Sequence, residues 1–383
     1  MTGTQKMPSI YTPKSLTRRL VSYNTVNPPG NERKCATFIG DLLSEGGFDV
    51  GYHEFAPRRT SLVARKIFNT ARPPLCFSGH LDTVPLGLSE WACDPFGGDT
   101  DGDRIYGRGS TDMKGGVAAM ILAGLQVASM SGGSSGIVLV LTAGEENGCE
   151  GAAFLAAQGD ILGRAGALVV GEPTSNYPIL GHKGAFWLEA VATGVTAHGS
   201  MPEQGVNAIY KAARAIVRLD GFDFDTAPHP VLGRPTVNVG TITGGININS
   251  VPDRAAFTID IRTVPPQRGD RICRALQARL GEDVALKMIT ESPAVASDPE
   301  DRWVREVFDV MESYIAERPV PRGVSYFTDA SALTAAFGHP PTVILGPGEP
   351  GMAHKTDEFC RLSRIEEATA VYVDIARKWC GLF

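Results

Sequence analysis

The sequence lacks the features that mark several classes of protein. It contains no run of about 18 apolar residues, so we expect no membrane-spanning helix. Its net charge of -6 leaves no excess of cations for a phosphate backbone, which argues against nucleic acid as a partner. The opening residues, MTGTQKMPSIYTPKS, contain no apolar core of a signal peptide. We therefore expect a cytoplasmic protein.

Cysteine is scarce and scattered. The seven cysteines in 383 residues show no C-x-x-C spacing, which argues against a cysteine metal site or a disulfide framework. No serine stands in a G-x-S-x-G elbow between a strand and a helix, because the glycine- and serine-rich SGGSSG at 131–136 is a flexible turn. The sequence therefore favours neither a serine nor a cysteine nucleophile.

Short, β-rich apolar runs alternate with helical stretches in the first half of the chain. Runs without polar alternation predict fully buried strands at 74–80, 136–146 and 166–173. Helices are predicted at 110–129, with Ser110 or Thr111 as the N-cap, and at 150–162. This alternation is typical of a mostly parallel sheet covered by helices on both faces.

The pattern changes near residue 180. Residues 184–194 alternate as a strand with one wet face, and an amphipathic helix follows at 205–219. The order up to about residue 292 is βαββαβ, which predicts a ferredoxin-like α+β layer. We therefore predict an α/β catalytic domain interrupted by an inserted α+β domain, with the catalytic domain at 1–180 plus 293–383 and the insert at 181–292.

Histidines and carboxylates follow the predicted strands of the α/β domain. Ligands of open parallel sheets bind beyond the carboxyl ends of the strands. The candidates at these ends are His80 and Asp82, Glu145 and Glu146, Glu172, and His354, with Asp112 at the start of a helix. Adjacent residues of a strand point to opposite faces, so Glu145 and Glu146 can have different functions.

This set of side chains favours a site for two metal ions. Two histidines and three of these carboxylates exceed the three protein ligands of a single catalytic zinc, but they fit two ions that share one carboxylate. Zn²⁺, Co²⁺ and Mn²⁺ accept such ligands. A water held by ions ~3.5–4 Å apart ionises near pH ~7 and attacks an amide carbonyl. Each residue alone has a simpler explanation, such as a helix cap for Asp112 or a solvated turn for Glu145 and Glu146, so the prediction rests on their combination.

Five segments carry a specific resemblance: GHLDTVP, GRGSTDMKGG, TAGEENG, GEPTS and LGPGEPGMAHKTDE. They resemble the successive signatures of the di-zinc aminoacylase, deacylase and carboxypeptidase family, which includes acetylornithine deacetylase and succinyl-diaminopimelate desuccinylase. The match spans nearly the whole chain in the order and spacing of the family. It implies a zinc-peptidase-like catalytic domain, an inserted lid that also forms a homodimer, and two Zn²⁺ per subunit, with Co²⁺ or Mn²⁺ as substitutes.

The resemblance implies a role for each candidate: His80 and Glu172 on one metal, Glu146 and His354 on the other, and Asp112 as the bridge. It makes Asp82 the partner that hydrogen-bonds and orients His80. Glu145 becomes the general base, which takes a proton from the water between the metals and passes it to the leaving amine.

Three residues of the insert also match the family. His198, in TAHGSMPEQGVNAI, matches a histidine that reaches the partner subunit's site and stabilises the developing charge on the carbonyl oxygen. Without the resemblance, His198 is a surface residue beside a helix. Arg262, in TIDIRTVP, matches the arginine that binds the substrate carboxylate, with a cross-strand ion pair as the alternative. Asn249, in NINSVPD, is expected to face the substrate.

Several motifs bear on the substrate. Glu172 stands where family aminopeptidases tend to carry Asp, which favours a deacylase or a carboxypeptidase. GEPTS, HKGAFW and GVNAI favour an acetylornithine deacetylase-like enzyme of arginine biosynthesis, and GVSYFTDAS at 323–331 departs from the corresponding segment of the desuccinylase. The alternatives are the desuccinylase, a broader N-acyl amino acid amidohydrolase or carboxypeptidase, and a non-catalytic binding protein on the same fold. We expect a hydrolase of linear amides whose partner is a small N-acyl amino acid.

Overall fold

The computed structural model describes residues 11–382, which form two compact units. The first unit contains the residues up to Gly181, Ser297–Arg322 and the residues from Thr328 onward, and the second contains His182–Ala296 and Gly323–Phe327. The first ten residues lie outside the described residues. They include most of the opening segment in which we expect no signal peptide. Over the range 11–382, no helix combines the length and the apolar character needed to cross a bilayer.

The elements before the second unit are, in chain order, α1 (Pro13–Val21), α2 (Arg33–Glu45), β1 (Asp49–Ala56), β2 (Arg59–Ile67), β3 (Leu75–His80), β4 (Thr100–Asp101), β5 (Arg104–Tyr106), α3 (Gly115–Ala128), β6 (Gly136–Thr142), α4 (Glu150–Ala157), β7 (Ala167–Val170) and β8 (Gly181–His182). The second unit contributes β9 (Gly184–Thr193), α5 (Ala208–Leu219), β10 (Thr236–Gly244), β11 (Arg254–Thr263), α6 (Gly269–Leu280), β12 (Val284–Ser292) and β13 (Val295–Ala296). The chain then continues through α7 (Arg302–Ile315), α8 (Ala330–Ala336), β14 (Thr342–Ile344), β15 (Phe359–Arg361) and α9 (Leu362–Cys380).

A six-stranded sheet of order β1-β2-β6-β3-β7-β14 organises the first unit. Strands β6, β3, β7 and β14 are parallel, and β1 and β2 add an antiparallel edge. All residues of β3, β6 and β7 are buried, as the unbroken apolar runs predict. This arrangement directs the carboxyl ends of the four parallel strands to one edge of the sheet, where parallel sheets bind ligands.

The segment before α3 differs from the prediction. The regular helix begins at Gly115, and Ser110–Lys114 forms a wider, irregular turn in which neither Ser110 nor Thr111 caps the helix. The predicted cap is therefore wrong. The reason is a competing interaction, because the Thr111 hydroxyl donates to the carbonyl of Phe359 at 2.6 Å and ties the turn to a distant loop.

The second unit is built on a four-stranded antiparallel sheet of order β10-β11-β9-β12. Together with α5 and α6, this order is that of a ferredoxin-like βαββαβ layer, so the predicted fold class of both parts is confirmed. Inward residues alternate along β9 and β11, where Leu188 and Phe257 join the core of the unit. The segment Gly323–Phe327 also belongs here, because Phe327 packs against the ring of Trp187. The functional division into a catalytic domain and a dimerising lid stays a prediction.

Candidate metal centre

His80 is the last residue of β3 and is almost fully buried, with 1% of its surface exposed. Its Nδ1 lies 3.0 Å from the main-chain carbonyl oxygen of Asp82, and its Nε2 lies 3.0 Å from Oδ1 of Asp112 and 3.8 Å from Oε1 of Glu172. A carbonyl oxygen only accepts, so Nδ1 carries the proton and donates. Nε2 faces the carboxylates of Asp112 and Glu172, and a cation between these groups would bind it.

The carboxylate of Asp82 has closer contacts than the predicted one with His80, and its role in orienting that histidine stays a prediction. We predicted that it would orient His80, but its Oδ1 lies 3.7 Å from Nδ1, and the carbonyl of the same residue makes that hydrogen bond. The buried carboxylate instead accepts from Asn27 Nδ2 at 2.8 Å and from the main-chain N–H groups of Glu145 and Glu146 at 3.1 and 3.2 Å. Asp82 therefore fixes the loop that carries both glutamates.

That loop lies beyond the strand and is not part of it. Strand β6 ends at Thr142, so Glu145 and Glu146 are loop residues, and alternation along a strand does not decide where they point. Their main-chain hydrogen bonds to Asp82 set their directions. Glu146 approaches His354, with Oε2 at 3.1 Å from Nε2, while Glu145 approaches Cys149.

Asp112 is held by a buried carboxylate that sequence reasoning missed. Glu358 accepts hydrogen bonds from the main-chain N–H groups of Gly109, Thr111 and Asp112 at 2.8 to 3.0 Å. The guanidinium of Arg108, also buried, donates to the same carboxylate at 2.6 Å. Charge-assisted bonds of this kind are stronger than neutral ones, so they fix the backbone of Asp112.

The predicted ligands meet in two groups that share Asp112. One group is His80, Asp112 and Glu172, and the other is Asp112, Glu146 and His354; within each group the ligand atoms lie within 4.8 Å of one another. Oδ1 of Asp112 faces His80, while its Oδ2 lies 3.5 Å from Nε2 of His354. The donor set of nitrogen and carboxylate oxygen fits Zn²⁺ or a similar ion at each position, with Asp112 between them.

The charges of the site also fit cations. Hydrogen bonds to Asp112 and Glu146 raise the pKa of His354 to about 10. Burial opposes the charged form of His80, but Glu172 and Asp112 outweigh it and hold the pKa well above its usual range. Burial raises the pKa of Glu172, and repulsion from nearby carboxylates adds to the effect. Oε1 of Glu146 is buried without a hydrogen-bond partner among the described residues, which is destabilising. A bound cation would supply the missing partner.

Glu145 belongs to neither metal group, although its main-chain N–H, like that of Glu146, donates to the carboxylate of Asp82. It is 8% exposed, and burial, reinforced by the charge of Glu172, raises its pKa well above the usual range. Its neighbours are Cys149 and Asp329, whose ligand atoms lie within 4.8 Å of its carboxylate and of each other. Glu145 is thus close to the centre without being one of its ligands.

The three predicted residues of the insert lie in the second unit. His198 is exposed, and its Nδ1 lies 2.7 Å from the hydroxyl of Ser200. Asn249 is adjacent, since its carbonyl accepts from the N–H of Gly199 at 2.7 Å. Arg262 forms a bidentate pair with Asp260 on its own strand, at 3.0 and 3.1 Å. The substrate-binding and catalytic roles of these three residues stay predictions.

Sequence reasoning missed Glu358, Asn27, Cys149 and Asp329. Glu358 had a weak signal, because it stands four residues after His354 in the motif HKTDE. Asn27, Cys149 and Asp329 had none, because each is a single polar residue in a loop and meets its partners only after folding.

We predict that Glu358→Gln will weaken metal binding about 10–100-fold, the range found when a group that orients a ligand is changed. The amide keeps the size of the side chain but removes its charge and one of its two acceptors, so Asp112 is held less firmly. Competition with a chromophoric chelator measures the affinity. The matched control is Glu349→Gln, since Glu349 pairs with Arg361 near the surface. Wild-type affinity in a folded Glu358→Gln protein would contradict the assignment.

Comparisons with known proteins agree with this geometry. The model of Peptidase family M20/M25/M40 matches residues 76–378. A probable succinyl-diaminopimelate desuccinylase of Staphylococcus epidermidis is 30% identical, over 91% of this chain and 93% of the relative. The acetylornithine deacetylase of Myxococcus xanthus is 31% identical, over 88% and 90%.

Solved structures support the fold. The M20 family metallo-carboxypeptidase Sso-CP2 of Sulfolobus solfataricus superposes with a TM-score of 0.81 at 17% identity, over 97% of this chain and all of that one. The YXEP protein of Bacillus subtilis, described as a dinuclear metal binding peptidase from the M20 family, gives a TM-score of 0.70 at 14% identity, over 96% and 97%. The resemblance found in the sequence motifs is confirmed: the chain belongs to Peptidase family M20/M25/M40 and is a metal-dependent hydrolase.

Proposed function

We propose that this protein hydrolyses the amide bond of an N-acyl amino acid with the help of two divalent metal ions. The observation that carries the proposal is Asp112, whose two carboxylate oxygens face two different histidines. One ligand between two such groups is the arrangement expected for a paired site. The names of the two relatives, a desuccinylase and a deacetylase, also describe removal of an acyl group.

Acetylornithine is the first candidate substrate, because motifs of the sequence favour it. Succinyl-diaminopimelate is the second candidate, because the desuccinylase relative is as similar to this chain as the deacetylase relative, at 30% and 31% identity. Both molecules offer an acyl amide beside a charged amino acid, so the family relationship supports the class of substrate for either one. Zinc is the first candidate metal, with cobalt and manganese as substitutes.

The residues that would hold the ions are His80 and Glu172 on one side, Glu146 and His354 on the other, and Asp112 between them. Bound ions supply Lewis-acid chemistry, which polarises the amide carbonyl and lowers the pKa of the attacking water towards ~7. The protein's own part is to fix the ligands. Asp82 anchors the loop of Glu146, and Glu358 anchors the turn of Asp112.

Glu145 would move the proton. Its loop is anchored by Asp82 beside a metal ligand, it interacts electrostatically with His80, and it stays outside both ligand groups. A carboxylate in this position accepts a proton from the attacking water and delivers it to the nitrogen of the leaving amine. Glu145 is therefore a deprotonated carboxylate again at the end of the reaction.

Replacing Glu145 tests this role. Glu145→Ala is expected to reduce turnover by about 10²–10⁴-fold, the usual contribution of general acid–base catalysis, while metal content and folding remain. Release of amine and metal analysis measure the two properties. The control is Glu150→Ala, an acid of α4 whose side chain is 45% exposed and which should keep its activity. Turnover of Glu145→Ala within about tenfold of wild type would exclude Glu145 as the base.

Metal removal tests the reaction class. A panel of acetylornithine, succinyl-diaminopimelate, acetylmethionine and simple dipeptides should include at least one substrate that the purified protein hydrolyses, as measured by amine release. A strong chelator should abolish that activity, and Zn²⁺ or Co²⁺ should restore it, because imidazole and carboxylate ligands accept either ion. Activity that is indifferent to chelation would contradict the proposal.

We also propose that the second unit forms a homodimer. Strand β10 is an edge strand of the four-stranded sheet. Ile242 lies in this strand and is 54% exposed. Ile246 and Ile248 lie in the loop that follows and are 95% and 102% exposed. Helix α5, which packs against this sheet, exposes Val217 at 72%. An edge strand with exposed apolar residues is a ready site for pairing with a second copy.

Sedimentation tests the dimer. The wild type is expected to sediment as a dimer, and the double change Ile246→Glu with Ile248→Glu should shift it to the monomer, because buried carboxylates oppose association. The control is Leu88→Glu, which places the same charge on a fully exposed apolar residue of the first unit. A wild type that is monomeric, or a double variant that stays dimeric, would overturn this surface as the interface.

A further inference from the structure

Beside the metal centre lies a third group of ligand-type side chains. Glu145, Cys149 and Asp329 each offer one atom within 4.8 Å of the other two, and all three residues are buried. Sγ of Cys149 lies 3.7 Å from Oε1 of Glu145. A cation with tetrahedral geometry holds sulfur and oxygen ligands about 3.5 Å apart, since its bonds to them are about 2.3 and 2.0 Å long. The observed spacing therefore needs little adjustment.

The hydrogen bonds of the cluster are incomplete. Oδ2 of Asp329 accepts from the hydroxyl of Thr142, and the Cys149 thiol also interacts with this carboxylate, but Oδ1 has no hydrogen bond of ordinary geometry among the described residues, although the residue is only 1% exposed. A buried carboxylate oxygen without a partner is destabilising. Burial, with the charge of Glu145 in addition, holds the pKa of the Cys149 thiol well above its usual range. A cation would satisfy the free oxygen and offset the crowding of acidic groups.

We propose that a thiophilic divalent cation, Cd²⁺ or Zn²⁺ in excess of the two catalytic ions, binds Cys149, Glu145 and Asp329 and inhibits the enzyme. On binding, the S–H bond of Cys149 breaks, its proton leaves to solvent, and a sulfur–metal bond forms without any redox change. The sulfur ligand sets this position apart from the catalytic pair, whose ligands are all nitrogen and oxygen.

Inhibition follows from the identity of one ligand, and this step rests on the proposed role of Glu145 as the base. A carboxylate that coordinates a cation cannot also carry a proton between water and the leaving amine. Glu145 has the largest exposed fraction of the three residues, 8% against 2% for Cys149 and 1% for Asp329. Glu145 is therefore the ligand of this group that lies nearest to solvent.

A cadmium titration of the zinc-loaded enzyme tests the proposal. Thiolate-to-cadmium charge transfer absorbs in the ultraviolet, and carboxylate or imidazole ligands give no such band. The wild type is expected to show a saturable band and, in step with it, at least a tenfold loss of activity, given the ~10²–10⁴-fold contribution of a general base. Cys149→Ser keeps the size of the side chain and should lose both responses, with activity expressed relative to its own rate without cadmium.

Two further variants complete the experiment. Cys93→Ala removes a partly exposed thiol elsewhere and should keep the Cys149 band and the inhibition. Asp329→Asn should weaken the cadmium affinity measured from the band. The absence of a band that depends on Cys149 would overturn the site and leave the role of Glu145 untouched. A Cys149-dependent band without loss of activity would overturn the inhibition and count against Glu145 as the base. Equal inhibition of wild type and Cys149→Ser would place the inhibitory ion at the catalytic pair and also overturn the proposal.

Discussion

The buried carboxylate of Glu358 is the constraint on which the proposed metal centre depends. It gathers the main-chain N–H groups of the turn around Asp112, and the guanidinium of Arg108 balances its charge. The turn departs from helical geometry at Asp112 and Met113, and the side chain of Asp112 is presented between His80 and His354. A short, strong network thus decides where the shared ligand lies.

The ends of the parallel strands explain how distant residues meet. Strand β3 delivers His80 directly, while the loops after β6, β7 and β14 deliver Glu146, Glu172 and His354. The unbroken apolar runs of β3 and β6 made these strands predictable, because only buried strands lack polar alternation. The end of β6 was not predictable, because Gly144 adopts a φ of 79° and the chain then turns its N–H groups towards Asp82.

The residues of the candidate site also divide into those that the sequence predicts and those that it does not. The histidines and acids of the two metal groups could be named from the sequence, because ligand chemistry limits the residue types and the motifs place them at strand ends. The residues that hold these ligands in place could not be predicted from the sequence. Glu358 acts on main-chain groups 246 residues earlier, and Asp82 uses its carbonyl for His80 and its carboxylate for another loop. Such contacts depend on three-dimensional position and leave no pattern in the chain.

We propose that five side chains hold two cations that share Asp112. The most direct measurement is anomalous scattering from crystals of the purified protein, recorded on both sides of the absorption edge of its metal. We expect two peaks about 3.5–4 Å apart, the first beside His80 and Glu172 and the second beside Glu146 and His354. A single peak, or peaks away from Asp112, would contradict it.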